Sequence, residues 1–493
     1  MADYYIPANN TDYDFARSLE SHDDYQSFYK KLKDNGSLWL TKEQYDNVLG
    51  FKKRRDYSEC RDEDKCVYQL QYCSNGSGNQ FLKTYNYIGF IPIGKKDRII
   101  IDTGKHRAGE KDLFLLRLLK YVSGDVYFDS SEDDSIIDTP NDASYSLLIM
   151  GYLFLFQFRK AFAKGIPLQY VKHQEHGLNI KGQINIKEYI QRDMLYGYKL
   201  TYSYSQLEYI QDIIDVLYIT MREMDDSAVF TELLNSGDYA RFYRQLRQLY
   251  SGKRPSASVI NRIEQQKALK NPMYSDYKET LRLARFILEH RNVIHDDDSD
   301  RPGNPGFLVD VSELWELYVA ELIRRSDYFR ENNYRILEQQ EAEYTLYNDT
   351  FIKKKNIPDI VLENEDNVLV IDAKFKTMKF RPFDVDRDDL HQIHSYSGFF
   401  NLKSKKEGKT LKVSSLVYPY YNDESDSDIN EIIESRLYSN DAFEDTEVKT
   451  VFSIGYVRIS DQSDPAKFDE EMTQYEQEYI ERLQKSISML DNL

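Results

Sequence analysis

The sequence predicts an α/β fold: a β-rich N-terminal domain, a helical middle region and a C-terminal domain with a mixed sheet flanked by helices. Three observations predict it. Between Cys66 and Gly104, the β-rich runs VYQLQYC, YNYIGFIPIG and RIIIDTG are separated by the turn-forming segments SNGSGN and GKKD. From Tyr145 to about His295 the apolar residues mostly recur at helical spacing. After Val309, the apolar runs IPDIVL and VLVIDAKF lie between two amphipathic helical segments.

Taken in order, the first 60 or so residues read as helical and polar, with FARSLESHDDYQSFYKKLKDN and TKEQYDNVLGFKKRR as surface helices. The sheet region then extends to near Phe128, and the acidic stretch DSSEDDSIIDTPNDAS is a linker. YSLLIMGYLFLFQF reads as a buried core helix. LNIKGQINIKEYI alternates around Gly182 and reads as a short hairpin or strand. Three helices follow, in QLEYIQDIIDVLYITMREM, DYARFYRQLRQLY and YKETLRLARFILEH, and HDDDSDRPGNPG is a second linker. At the next helix, Asp310 and Glu313 suit a capping box, and Val311, Leu314, Trp315, Tyr318 and Leu322 fall on one face. Strands are expected in YRILEQQ, EYTLYN, IPDIVL, VLVIDAKF, VSSLVYP and VKTVFSIGYVRI. Helices are expected around LHQIHSYSGFF and from about Pro465 to Leu490. The expected domains are 1–135, 136–300 and 305–493.

Composition narrows the function. A hydrophobic fraction of 41% is that of a folded protein. The N-terminus has no basic region followed by an apolar stretch, so no signal peptide is expected. The most apolar run, Tyr145 to Phe158, is shorter than the ~20 residues a membrane helix needs. Cys60, Cys66 and Cys73 fit no zinc spacing, and three cysteines suit a reducing cytoplasm. The net charge of -18 argues against nucleic acid as a partner. The charge is unevenly spread, however: Phe351 to Lys412 holds 13 Lys plus Arg against 10 Asp plus Glu, a balance of +3. A locally basic segment can still grip phosphates.

The chemistry concentrates in IPDIVLENEDNVLVIDAKFK. Asp359 stands in the first strand, and Asp372 and Lys374 in the second. Side chains alternate along a strand, so Asp372 and Lys374 share a side. A carboxylate and an ammonium at the end of the buried run Val368 to Ile371 cost stability unless they are paired or bind an ion. Two converging carboxylates suit a hard divalent cation such as Mg²⁺. Beside them Lys374 would orient an attacking water or steady charge on phosphorus, as phosphodiester hydrolysis requires. The plainer reading is a salt-bridged strand pair.

Pro358-Asp359 followed by Asp372-Ala373-Lys374 resembles the PD-(D/E)XK nuclease superfamily. Gln392 and Tyr396 share a helix face and resemble the Q-x-x-x-Y element of RecB-like nucleases, where the Gln reaches toward the metal site. The superfamily often draws a further metal-site carboxylate from the upstream helix. The resemblance therefore implies Glu316 beside Asp359 and Asp372 as a ligand, with Lys374 and Gln392 as catalytic groups. Over Tyr85 to Pro419 the order of segments is similar to McrC-like nuclease subunits of McrBC-type (5-methylcytosine) restriction systems. Those segments are GIPLQYVKHQEHGLNIKGQINIKEYI, ELWELYVAELIRR, the PDI…DAK hairpin and HQIHSY. Gly182-Gln183-Ile184 stands where that family usually has Gly-Arg-Ile. The resemblance implies an endonuclease using Mg²⁺ or Mn²⁺, with DNA and a separate McrB-like AAA+ GTPase motor as partners and no membrane; the regions before about residue 300, with the sheet near Tyr85 to Gly104 in the domain 1–135, are expected to dock that motor. The chain has no G-x-x-x-x-G-K-[ST] of its own. The alternatives are a stand-alone nuclease of the superfamily and a non-catalytic regulator of an AAA+ motor.

Overall fold

A computed structural model describes residues 3–7, 37–40, 68–74, 80–83, 87–93, 97–103, 107–108, 111–123, 142–226, 228–290, 307–337, 339–345, 355–376, 385–421, 436–437 and 450–489. The chain divides into two units: Met1–Ser131 together with Asp300–Leu493, and Glu132–Ser299.

The N-terminal part begins with β1 (Asp3–Pro7), β2 (Tyr87–Ile93) and β3 (Asp97–Asp102). β2 and β3 form an antiparallel pair, and β1 adds parallel to β3. A second sheet joins Ser37–Leu40, Tyr68–Ser74 and Gln80–Lys83. The two surface helices expected before residue 60 lie outside the described residues. Residues 3–7 and 37–40 are strands instead, because each finds a sheet edge that its own local pattern does not announce. Asp112 then starts helix α1 (Leu113–Ser123) by accepting from Leu115 N at 2.9 Å and Thr103 N at 2.7 Å.

The second unit opens with α2 (Asp142–Phe162), in which Leu153, Phe154 and Phe158 are buried. This is the core helix expected from the apolar run. α2 packs on α5 (Ser275–His290), and α5 on α3 (Gln211–Asp225); α3 in turn meets α4 (Gly237–Leu249). One element overturns the helical expectation. β4 (Leu168–Gly177) and β6 (Leu200–Tyr209) form a ten-residue antiparallel ribbon, with β5 (Gln183–Ile184) on its edge. Both faces of the ribbon carry polar side chains, so no apolar alternation marks it. Cross-strand bonds hold it instead: Glu175 accepts from Tyr202 Oη at 2.8 Å and Tyr204 Oη at 2.7 Å. The short hairpin or strand expected around Gly182 is the two-residue strand β5, after which the chain turns helical at Ile186–Glu188.

The chain returns to the first unit through β7 (Phe307–Asp310), which pairs with β2. α6 (Val311–Arg325) follows, with Asp310 accepting from Ser312 N at 2.9 Å as its cap. A six-stranded mixed sheet comes next, in the order β8 (Arg335–Ile336), β9 (Ile360–Glu363), β10 (Asn367–Ala373), β11 (Thr410–Tyr421), β13 (Val451–Ile459), β12 (Arg436–Leu437). β9 is antiparallel to β10, whereas β10, β11 and β13 run parallel. Parallel neighbours need a crossover, and α7 (Arg387–Lys406) supplies the one between β10 and β11. YRILEQQ yields only the short β8, because Gln339–Ala342 is helical. Helix α8 (Pro465–Ser488) packs on β13. No helix of the described residues is long and apolar enough to cross a membrane.

A buried polar knot explains why the two ends of the chain share one unit. Glu476 of α8 takes Arg117 Nε at 2.9 Å and Nη2 at 2.8 Å, the hydroxyl of Tyr318 at 2.6 Å, and the hydroxyl of Tyr121. The Arg117 and Glu476 side chains are only 10% and 5% exposed. Breaking a buried pair strands a charge at a cost of about 3–5 kcal/mol, whereas replacing both partners by apolar groups is often neutral. Glu476→Gln should therefore lower unfolding stability by several kcal/mol in a denaturant titration. Arg117→Met with Glu476→Leu should recover only part of that loss, because the hydroxyls of Tyr121 and Tyr318 still lose their acceptor. A single variant as stable as wild type would contradict this account.

Candidate active site

β10 is buried along most of its length. Val368, Leu369, Val370, Ile371 and Ala373 are at most 3% exposed, and Asp372 is at 0%. Val368 and Val370 pack with Ile393, Tyr396 and Phe400 of α7, so even-numbered residues of the strand face that helix. The opposite side carries Phe375, which stacks on Phe114 and meets Trp315. Alternation thus sends Asp372 and Lys374 toward α7, as the strand pattern predicts.

The hairpin turn fixes the register. Asn364 Oδ1 accepts from Asp366 N at 3.1 Å and Asn367 N at 2.8 Å, which closes the ENEDN turn. Ile360 is then opposite Ile371, so Asp359 falls opposite Asp372. Asp359 Oδ2 accepts from Ala373 N at 3.0 Å. Lys374 Nζ lies 2.7 Å from Asp372 Oδ2, as an ion pair. Apart from this Lys374 contact, neither Asp372 oxygen has a hydrogen-bond donor among the described residues. Burial pushes the Asp372 carboxyl well above the usual carboxylate range, and the neighbouring Asp359 charge adds to this while Lys374 opposes it. Burial pulls the Lys374 ammonium down, but Asp372 and Asp359 overcome it and leave its pKa raised.

Helix α7 completes the arrangement. Lys374 Nζ donates to Gln392 Oε1 at 3.1 Å. Gln392 Nε2 donates to Tyr396 Oη at 2.7 Å, and Tyr396 Oη donates to Ile357 O at 3.2 Å. An ammonium can only donate, so the Gln392 amide must turn its oxygen to Lys374 and its nitrogen to Tyr396. Burial pushes the Tyr396 hydroxyl up to about 12, so it remains a donor.

Asp359, Asp372, Lys374, Gln392 and Tyr396 are therefore brought together. Glu316 is not shown with them: it is half-buried on α6, and among the described residues no group of three His, Cys, Asp or Glu is arranged to hold a metal ion. Glu321 of the same helix is paired with Arg324 and Arg325. Two converging carboxylates, one with no donor among the described residues besides Lys374, still fit a small divalent cation that keeps several waters. Sequence reasoning missed Lys376, Asp389 and Tyr418. Lys376 Nζ meets Asp389 at 2.9 and 3.0 Å, and Tyr418 Oη donates to Asp389 Oδ2 at 3.1 Å. Their signal was spacing alone: Lys376 lies two residues beyond Lys374, and Asp389 one helical turn before Gln392.

The family model of the McrBC 5-methylcytosine restriction system component matches residues 82–419, close to the span of the resemblance read from the sequence. No curated protein matches the chain. Two of the similar solved structures are assemblies of one system. One is the refined half-complex from a tetradecameric assembly of Thermococcus gammatolerans McrB AAA+ hexamers with bound McrC. There the identity is 13%, the match covers 96% of this chain and 99% of that chain, and the TM-score is 0.38. The other is the cryo-EM structure of the Thermococcus gammatolerans McrBC complex, with 14% identity, 66% and 88% coverage and a TM-score of 0.26.

The raised Asp372 pKa has a consequence for the metal-free protein. A group whose pKa is higher in the fold contributes stability below its unfolded value, and that stability is lost as pH rises through the folded value. Asp372→Asn should thus match wild type near pH 4 and gain on it toward pH 8. For one proton, the difference grows by at most about 1.4 kcal/mol per pH unit. Thermal melts in chelator across this range check it; an Asn variant that loses ground as pH rises would refute the assignment.

Proposed function

The chain belongs to the family of McrBC 5-methylcytosine restriction system components, and on that premise we propose that it is the DNA-cutting subunit, a divalent-cation-dependent endonuclease of the PD-(D/E)XK type that works with a separate AAA+ GTPase motor. The observation that carries the reading is the buried Asp372, set opposite Asp359 and paired with Lys374 at a strand end. A structural salt bridge explains the pairing. It does not explain why a second carboxylate is placed against the first, where like charges oppose ionisation.

Asp359 and Asp372 would hold the cation, with Mg²⁺ or Mn²⁺ as the fitting ions. The bound ion would acidify a water and neutralise charge on the phosphate. The chain's own groups do the remaining work. Lys374 donates to the attacking water or to a non-bridging phosphate oxygen, where negative charge grows in the transition state. Gln392 holds the Lys374 ammonium beside its pairing with Asp372, and Tyr396 holds Gln392. A lysine with four rotatable bonds is thus confined to one direction before substrate arrives. Glu316 remains a proposed third carboxylate, one that would have to join the pair on cation or DNA binding.

Membership in the McrBC restriction-system family supports a separate motor partner for this chain. β2 and β3, the described strands of the segment expected to dock the motor, have β1 and β7 on their outer edges. We assign the motor contact instead to the end of the β4–β6 ribbon. There Leu178 and Ile186 are 70% exposed, Leu195 76% and Tyr198 84%. Large apolar groups gathered at an exposed tip are a mark of a protein interface.

Two outcomes test the chemistry. Asp372→Ala should abolish cleavage while the protein stays folded. Lys374→Ala should lower the rate at saturating DNA by about 10²–10³, the scale of a lost transition-state donor, with DNA affinity little changed. A folded Asp372→Ala protein that cuts at wild-type rate would end the nuclease reading. For the partner, Ile186→Ser, Leu195→Ser and Tyr198→Ser combined should leave the melting temperature unchanged. The same triple variant should cut motor affinity by tenfold or more in a pull-down or titration. Undiminished motor binding would move the contact elsewhere. A protein that cuts without any motor would favour the stand-alone nuclease. One that only raises the motor's GTPase rate would favour the regulator.

A further inference from the structure

The site contains a second lysine that the cleavage chemistry leaves unused. Lys376 Nζ sits between two carboxylates of unequal character. Asp389 is 4% exposed and meets the ammonium with both oxygens, at 2.9 and 3.0 Å. Tyr418 Oη donates to the same Asp389 from the sheet, at 3.1 Å. Asp386 lies on the outer side at 3.2 Å, is half exposed, and already serves as the cap of α7 by accepting from Asp388 N. The inner bonds are therefore fixed by burial, while the outer one is an exposed pair of the kind worth little and readily exchanged. The Lys376 side chain is 41% exposed, so its outer side is open to a ligand.

Its position relative to Lys374 is set by the helix. Lys374 is held by Gln392 and Lys376 by Asp389, three residues earlier on the same helix. Those two anchors are one turn apart, a rise of about 4.5 Å. Two ammonium groups are thus staged side by side along α7, in a chain whose net charge of -18 would otherwise repel a polyanion. A buried tyrosine–carboxylate pair is a costly way to hold a half-exposed lysine unless the placement of its charge matters.

We propose that Lys376 is a second DNA-binding cation of this site, which takes the phosphate next to the scissile one by exchanging Asp386 for a phosphate oxygen, while Asp389 and Tyr418 hold it in place. The assignment rests on the nuclease reading for its location but not for its readout, which is DNA binding. Lys376 does not act on the reacting phosphorus; it sets where the strand lies over Lys374.

Lys376→Gln is the informative variant, because its amide still donates to Asp389 while the charge is gone. Equilibrium binding of the full chain to a labelled duplex, measured across a salt series, should show about tenfold weaker affinity. The slope of log affinity against log salt should shrink by about one, the signature of one lost phosphate contact. Lys376→Arg should keep both. Asp389→Asn leaves the lysine charged but loosely held, so it should weaken binding by a smaller factor and keep the slope. In cleavage with the motor and GTP, Lys376→Gln should raise the half-saturating DNA concentration and change the saturating rate by less than about threefold, unlike Lys374→Ala. Unchanged affinity and slope in Lys376→Gln would overturn the proposal, and so would a loss confined to the saturating rate. If wild type binds DNA with a Lys376-dependent slope yet cuts under no condition, the nuclease reading fails and Lys376 stands as a DNA-binding cation without its place beside a scissile phosphate. If it cuts while Lys376→Gln binds like wild type, only this proposal fails. A chain that binds no duplex overturns this proposal.

Discussion

Asp372 has no exposed surface, and the strand that delivers it is apolar and buried on both sides. A carboxylate in that position must be neutral, paired or ligating, and its neighbours are arranged around this constraint. Asp359 comes up from the adjacent strand and accepts from the backbone of Ala373. Lys374 turns back toward Asp372 from two residues on. The backbone nitrogen of Lys374 donates to Val417 O at 2.8 Å, so the lysine's own main chain is tied to the parallel neighbour strand. The same carbonyl accepts from Trp315 Nε1 at 3.3 Å, which fixes α6 beneath the site. The position of the charged pair is therefore set by backbone bonds, and its chemistry by burial.

Helix α7 converts that static pair into an oriented one. Asp389, Gln392 and Tyr396 recur at spacings of three and four and reach the sheet side of the helix. Each holds something different: Asp389 holds Lys376, Gln392 holds Lys374, and Tyr396 anchors Gln392 to Ile357 O. Below them Ile393 and Phe400 supply the apolar contact that seats the helix on Val368 and Val370. One helix face thus carries both the packing and the polar supports, so the supports cannot drift without loosening the core.

The middle of the chain follows a different rule. Its helices bury their apolar stripes in the ordinary way, whereas its ribbon is held by cross-strand hydrogen bonds and leaves large apolar groups in solvent. The first unit closes differently again, through a single glutamate that gathers an arginine and two tyrosines from α1 and α6.

By itself the sequence determined the elements with strong local patterns. The buried run Val368–Ile371, the ENEDN turn and the alternation placing Asp372 and Lys374 on one side are consequences of strand geometry. The core helix from Tyr145 to Phe158, the helix cap at Asp310 and the pairing of Gln392 with Tyr396 are local in the same sense. Tertiary structure decided what depends on distant partners. β1 is a strand because β3 offers it an edge, and the β4–β6 ribbon forms from polar residues that carry no period of their own. Glu316 reads as well as any carboxylate on its helix, but which residues converge on Asp372 depends on how α6 is rotated against the sheet. Lys376, Asp389 and Tyr418 lie on three elements, and only the parallel crossover from β10 through α7 to β11 brings them together. Local rules set the direction of a side chain; which other side chains it meets is fixed by long-range packing.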